Sequence, residues 1–131
     1  MRILLAVLVL FSLLQSCKKY PDGPILSLRS RETRIEGNWS CQQVLVNDKE
    51  STPFYSKYSY GYGSDNSYTE NNGFNTLTGT WELTSDDDSV IVKINTSQVL
   101  HRFKILKLKN KSFWLVEDRN SSIYEWHLKS N

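Results

Sequence analysis

The feature of this sequence that most constrains its fold is the alternation of apolar and polar residues in short segments after residue 37. In Ser122–Lys129, for example, Glu125 and His127 separate Tyr124, Trp126 and Leu128. A period of two residues is that of a β-strand with one buried face. The chain also has 7 Tyr and 4 Trp but a single Met, which favours strands over helices. The pattern therefore predicts an all-β domain.

Turn-forming residues separate seven or eight such segments, a number and spacing typical of a small barrel or sandwich. Before them, Ser27–Glu36 predicts a short helix that ends at Gly37. The apolar positions change parity near Ile105, which predicts a bulge there. Residues 64–72 are polar and loop-like, with at most a short strand around Tyr68. The predicted strands are Asn38–Val46, Phe54–Tyr62, Thr76–Thr84, Ser89–Asn95, Gln98–Lys109, Ser112–Glu117 and Ser122–Lys129.

The N-terminus predicts export and lipid anchoring. Arg2 precedes the apolar run Ile3–Leu14, which as a helix is about 18 Å long, too short for the ~30 Å core of a bilayer. Such a run is typical of a secretory signal. It ends in Leu14-Gln15-Ser16-Cys17, which resembles the lipobox of bacterial lipoproteins. The resemblance implies cleavage before Cys17 and its acylation with palmitate-type chains; the alternative is an ordinary signal peptide followed by an incidental cysteine.

This interpretation divides the chain into a signal peptide (1–16), a lipidated Cys17 with its tether (17–26) and a β-domain (27–131). The residue after Cys17 is Lys18 rather than the Asp that favours inner-membrane retention in well-studied lipoproteins. We therefore expect attachment to the outer membrane on its periplasmic face, with surface display as the alternative. Cys41 is then the remaining cysteine and has no internal disulfide partner. We expect it to be a buried thiol, with pairing between molecules as the alternative.

Two motifs suggest a family. Gly37-Asn38-Trp39 at the first strand resembles the Gly-x-Trp signature of lipocalins, and Gly79-Thr80-Trp81-Glu82-Leu83 with Ser112-Phe113-Trp114-Leu115 is similar to small lipocalin-like lipoproteins of Bacteroidota-type bacteria. The resemblance implies an up-and-down antiparallel barrel of about eight strands with a short N-terminal helix. It also implies that Trp39 plugs the closed end of the barrel. It brings no known ligand.

The sequence does not favour catalysis, a metal or a cofactor. His101 and His127 stand in no metal-ligand spacing, and neither a phosphate-binding glycine loop nor a nucleophile elbow is present. His101 shares the parity of Phe103 and is expected to be a partly buried histidine, whereas His127 is expected to point outward. The run of three aspartates at 86–88 lacks the glycine and distal glutamate of a calcium loop and is expected to be a solvated turn. Ser89 follows it in a context that resembles an O-glycosylation site of Bacteroidota secreted proteins.

The most unusual local composition is a ladder of five tyrosines, Tyr55, Tyr58, Tyr60, Tyr62 and Tyr68. Tyrosines in this setting either cover the core, line a barrel mouth or form a recognition surface. The leading hypothesis is a non-catalytic barrel that binds a small apolar or amphipathic molecule. The expected lining residues are Trp39, Tyr58, Tyr60, Tyr62, Trp81 and Phe103.

The alternative is a barrel filled by its four tryptophans that serves as a protein-interaction or envelope-structural module through a Tyr-rich rim. The expected partners are the membrane, through the N-terminal lipid, and a small apolar ligand, and we expect a monomer. The net charge of +2 gives no indication of nucleic-acid binding.

Overall fold

The structure, a computed structural model, describes residues 29–131. The predicted signal peptide, the lipidation site Cys17 and the tether lie outside the described residues.

Within these residues the chain forms two short helices and nine strands. The helices are α1 (Arg31–Ile35) and α2 (Thr52–Tyr55). The strands are β1 (Gly37–Val46), β2 (Lys49–Glu50), β3 (Ser59–Tyr62), β4 (Ser67–Asn71), β5 (Thr76–Leu83), β6 (Ser89–Ile94), β7 (Leu100–Lys109), β8 (Ser112–Arg119) and β9 (Ser122–Ser130).

Eight of these strands close into a barrel. Each pairs antiparallel with the next in the order β1, β3, β4, β5, β6, β7, β8, β9, and β9 returns to β1, so that Trp39 lies opposite Ser130 and Val46 opposite Tyr124. The two-residue β2 only extends a hairpin from β1. The register shifts between Cys41 and Gln43 in β1 and between Ile105 and Lys107 in β7. The predicted up-and-down barrel of about eight strands is thereby confirmed.

The helix α1 covers one end of the barrel, called here the α1 end. Ser30 caps it, since the Ser30 hydroxyl accepts a hydrogen bond from the Thr33 amide at 3.1 Å. Within the described residues the helix therefore begins at Arg31, directly after this cap. Ile35 is fully buried, and Arg34 donates to the Leu108 carbonyl oxygen at 2.8 Å. These contacts fix α1 against the mouth of the barrel.

The segment predicted as a strand over Phe54–Tyr62 is only half a strand. Pro53 stands in the first turn of α2, where it needs no amide hydrogen. The chain is extended only from Ser59, and Phe54 is 83% exposed instead of facing inward. Conversely, the polar region around Tyr68 forms a full barrel strand, β4.

No helix among residues 29–131 has the length and apolar character needed to cross a membrane.

Candidate functional site

The barrel interior is filled in its α1 half and hollow in its other half. Trp39, Phe113, Ile105 and Leu108 pack at the α1 end, each less than 3% exposed. Toward the opposite end, called here the α2 end, a cavity of about 180 Å³ remains. Its lining residues are Tyr55, Tyr58, Tyr60, Tyr62, Tyr68, Glu70, Phe103, Leu115, Arg119, Trp126 and Leu128.

All five tyrosines of the ladder contribute to this cavity wall. Tyr60 and Tyr62 point inward from β3, and Tyr55 and Tyr58 reach the cavity from α2 and the residues after it. Tyr55, Tyr58 and Tyr60 contact Trp126, whose ring centroid is 5.0 Å from that of Tyr55 in an edge-to-face contact and 6.1 Å from that of Tyr60. The ladder is thus a cavity lining, in which Tyr60, Tyr62 and Tyr68 are buried and Tyr55 and Tyr58 are half-buried.

Glu70 is the acidic residue of the cavity wall. It is half-buried, and its Oε2 accepts a hydrogen bond from the Tyr68 hydroxyl at 3.0 Å. Within residues 29–131 it forms no ion pair with any lysine, arginine or histidine. Burial, and secondly the negative charge of Glu70, raise the pKa of Tyr60 and Tyr62. The tyrosines therefore remain neutral phenols beside an uncompensated carboxylate.

The facing wall carries hydrogen-bond donors without acceptors. Arg119 Nε and Trp126 Nε1 are both buried and have no hydrogen-bond partner within residues 29–131. Arg119 lies on β8 and Glu70 on β4. Three strands separate them in either direction around the barrel, β5, β6 and β7 on one side and β3, β1 and β9 on the other. The carboxylate and these donors consequently come from opposite sides of the barrel. Unpartnered buried N–H groups are rare in proteins.

A charged cluster adjoins the cavity at the α2 end. His101 Nδ1 lies 2.7 Å from Glu117 Oε1, and Arg119 Nη2 donates to Glu117 Oε2 at 2.6 Å. The Glu117 side chain is only 6% exposed, whereas that of His101 is 22% exposed. The single carboxylate of Glu117 is thus shared by two basic groups, and the charge of Arg119 is balanced within the wall. The predicted partly buried state of His101 agrees with this placement.

The structure brings together some of the predicted ligand-lining residues and separates others. Tyr58, Tyr60, Tyr62 and Phe103 line the cavity. Trp39 and Trp81 do not: Trp39 Nε1 donates to the Ile35 carbonyl oxygen at 2.7 Å in the filled half, and Trp81 Nε1 donates to the Gly63 carbonyl oxygen at 2.9 Å. Both indole donors are satisfied by backbone, which fits structural tryptophans.

Sequence reasoning missed Glu70, Arg119 and Trp126 as lining residues. Glu70 was missed because the sequence predicts a loop where β4 lies. Glu70 shares parity with Tyr68, so in a strand both side chains face the same way. Arg119 was expected to lie beyond the end of its strand, whereas β8 continues to it. Trp126 was expected to face inward, and it does so at the cavity rather than as a filler.

Two further predicted features lie outside the cavity. Ser89 is 2% exposed and its hydroxyl donates to Asp88 at 2.5 Å, so that in the folded chain this hydroxyl is inaccessible to a glycosyl donor. Asp87 in the preceding turn pairs with Arg31 at 2.6 Å. Residues 29–131 contain no group of three or more His, Cys, Asp or Glu suited to a metal ion.

Trp114 lies on the outer face of the barrel, so it does not fill the interior. Its ring stacks on that of His127 with centroids 3.8 Å apart, and the Lys107 ammonium lies 3.9 Å from the ring centroid. His127 points outward, as its parity predicts. A polar groove beside the pair is lined by Gln42, Gln43, Glu50 and Thr52.

The comparisons with known proteins give a fold and no function. No protein-family model matches the chain, and no curated protein matches it. The crystal structure of a DUF4847 family protein from Bacteroides vulgatus is similar, with a TM-score of 0.54 and 9% sequence identity over 77% of this chain and 96% of that one. At this identity the similarity shows the barrel fold alone.

Proposed function

We propose that this protein is a lipid-anchored, lipocalin-like barrel that binds a small amphipathic molecule without catalysis. The observation that carries this proposal is the aromatic cavity of about 180 Å³ at the α2 end of an otherwise filled barrel. An engineered apolar cavity of roughly 150 Å³ is sufficient to bind benzene. The ligand is therefore about the size of a single ring and is too small to be a long-chain lipid.

A non-catalytic function is supported by the engagement of His101 and Arg119 with the Glu117 carboxylate beside the cavity. A general base needs a free position within reach of a substrate proton. Here His101 and Arg119 share the Glu117 carboxylate, and His101 is not a lining residue of the cavity. The wall offers shape, aromatic surface and hydrogen bonds.

Native mass spectrometry of the protein, purified gently from its own envelope fraction, tests the binding proposal. We expect a reproducible additional mass of a small organic molecule that disappears on denaturation, and its value identifies the ligand. A clean monomer mass, apart from the covalent lipid, contradicts the carrier function. It favours the interaction module instead.

That second function has one observation in its favour. Six large apolar side chains are exposed in residues 29–131, and all of them lie at the α2 end. They are in α2, in the turns at that end, or at the ends of the strands next to these turns. They are Phe54, Phe74, Leu77, Val99, Leu100 and Ile123. Replacing Phe54 and Phe74 with serine distinguishes the two functions, since an interaction module loses its partner while a carrier retains its ligand.

The anchor is tested by Cys17→Ser. Without the thiol no acyl chain can be attached, and two or more chains are needed for stable membrane binding. We expect the variant to lose labelling by fatty-acid probes and to move to the soluble fraction, whereas the matched Cys41→Ser variant stays labelled and membrane-bound. Labelling that persists in Cys17→Ser contradicts lipidation at this residue. We further propose attachment to the periplasmic face of the outer membrane.

A further inference from the structure

We propose that the ligand of this cavity is a small organic ammonium ion, held by Glu70 and the surrounding aromatic rings. This inference rests on the proposed binding function and specifies the chemistry of the molecule bound. Its starting point is the juxtaposition of one carboxylate and seven aromatic side chains around a single cavity of about 180 Å³.

The carboxylate has no cationic partner within the described chain. Glu70 accepts a single side-chain hydrogen bond, from the neutral Tyr68 hydroxyl, and has no ion-pair partner in residues 29–131. Hydrogen bonds from cationic groups to carboxylates are about twice as strong as those between neutral groups. A cation in the cavity would balance this charge, whereas an anion would be repelled by it.

The aromatic wall suits a cation with organic substituents. A ring face is electron-rich and attracts ammonium groups within about 6 Å of its centroid, and the attraction grows when the ion is desolvated. Five tyrosines, Phe103 and Trp126 provide such surface around this cavity. A bare metal ion would instead require several oxygen ligands, and among residues 29–131 Glu70 is the only carboxylate that lines the cavity. The environment thus favours an alkylated ammonium group.

The opposite wall does not counteract a cation. The positive charge of Arg119 is balanced by the Glu117 carboxylate at 2.6 Å, and Arg119 lies on β8, across the barrel from the β4 of Glu70.

Three probes of almost identical shape but different charge test the proposal. They are choline, its neutral tert-butyl analogue in which carbon replaces the ammonium nitrogen, and the tert-butylacetate anion. Each is titrated into the full chain in detergent by isothermal calorimetry, with Trp fluorescence as a second readout. We expect choline to bind at least about tenfold more tightly than the neutral analogue, and the anion to bind most weakly.

Glu70→Gln removes the charge and keeps the shape and the hydrogen-bond acceptor for Tyr68. We expect this variant to lose the preference for choline while it still binds the neutral analogue. The matched control is Glu82→Gln, an exposed carboxylate on the neighbouring strand β5, which should retain the preference. If Glu70→Gln fails to fold, the comparison of the three probes on the native chain decides by itself.

The outcomes separate this inference from the function on which it rests. If the neutral analogue or the anion binds as tightly as choline, or if Glu70→Gln keeps the preference, the ammonium proposal is wrong while ligand binding by the cavity stands. If native mass spectrometry detects no bound molecule and none of the three probes binds, both proposals are wrong.

Discussion

At the scale of single residues, two tryptophans show how the same side chain acquires different roles. Trp39 is 2% exposed, contacts Phe113 with ring centroids 5.4 Å apart and has its indole N–H bonded to the backbone of α1. Trp114 lies on the outer face against His127 and Lys107. Removing the first leaves a cavity in the core, whereas removing the second leaves space that water can occupy.

We therefore expect Trp39→Ala to lower the free energy of unfolding by about 3–5 kcal/mol. Trp114→Ala, which loses only a surface stack and a cation–π contact, should cost about 1 kcal/mol. Urea denaturation followed by circular dichroism measures both. A loss below about 1 kcal/mol for Trp39→Ala would contradict the assignment of Trp39 as the plug of the α1 end.

Cys41 gives a second prediction at this scale. Burial, and to a lesser degree the nearby charge of Glu50, raise the pKa of its thiol to about 11. Because the thiolate is the reactive form, we expect very slow reaction with a thiol reagent at about pH 8 in the native protein and fast reaction in urea. The experiment uses the Cys17→Ser background so that Cys41 alone is followed. Rapid labelling of the native protein would show that the thiol is accessible.

At the scale of elements, the two bulges show what periodicity can and cannot reveal. The change of parity near Ile105 predicts a bulge in β7, and the register shift between Ile105 and Lys107 confirms it. The same change occurs in β1, where Cys41 and Val44 are both buried across the shift between Cys41 and Gln43. The sequence did not predict this second bulge because Leu45 has the same parity as Cys41. Only the pairing of β1 with β9 decides whether Leu45 or Val44 faces inward.

The pairing of β5 with β6 is sensitive to a single methyl group added at Gly79. A Cβ at Gly79 would lie about 2.0 Å from the Lys93 carbonyl oxygen, a backbone atom that cannot move without breaking the sheet. We expect Gly79→Ala to destabilise by about 3 kcal/mol or more.

The matched control for this substitution is Gly61→Ala, where a Cβ would meet chiefly the side chain of Thr69. A hydroxyl-bearing side chain can rotate away, so we expect a clearly smaller loss from the same urea titration. Equal losses for the two variants would mean that the backbone of β6 adapts as readily as a side chain does.

At the scale of the whole molecule, the two ends of the barrel are built for different purposes. The α1 end is sealed by a helix, an ion pair between Arg31 and Asp87, and Trp39. At the α2 end the cavity remains, and tyrosine side chains that are largely buried surround it. The fully packed part of the interior is therefore at the α1 end, and the cavity is at the α2 end.

The buried phenols make the stability of the whole barrel depend on alkaline pH. Burial raises the pKa of Tyr60, Tyr62 and Tyr68 above the ordinary value of 10.0, and that of Cys41 above 9.0. A group whose pKa is higher in the folded state stabilises fully below its unfolded pKa, and this contribution is lost as the pH rises above it. We expect the free energy of unfolding to fall steeply above about pH 9, relative to its value at about pH 7.

Urea titrations at about pH 7, 9 and 10.5 measure this dependence. In Tyr62→Phe the decline above pH 9 should be shallower, because one of the groups that ionise on unfolding is gone. Equal stability of the native chain at about pH 7 and 10.5 would contradict the burial of these hydroxyls.

The sequence by itself determined the all-β class, the β7 bulge and the inward parity of Tyr60, Tyr62 and Trp126, because a period of two is a local property of the chain. Its lipobox and signal remain predictions, since they lie outside the described residues. Only the tertiary structure decided that Trp39 fills one end while the tyrosines leave a cavity at the other. It also decided that Glu70 and Arg119 belong to one site, because closure of β9 onto β1 brings together residues that are far apart in the chain.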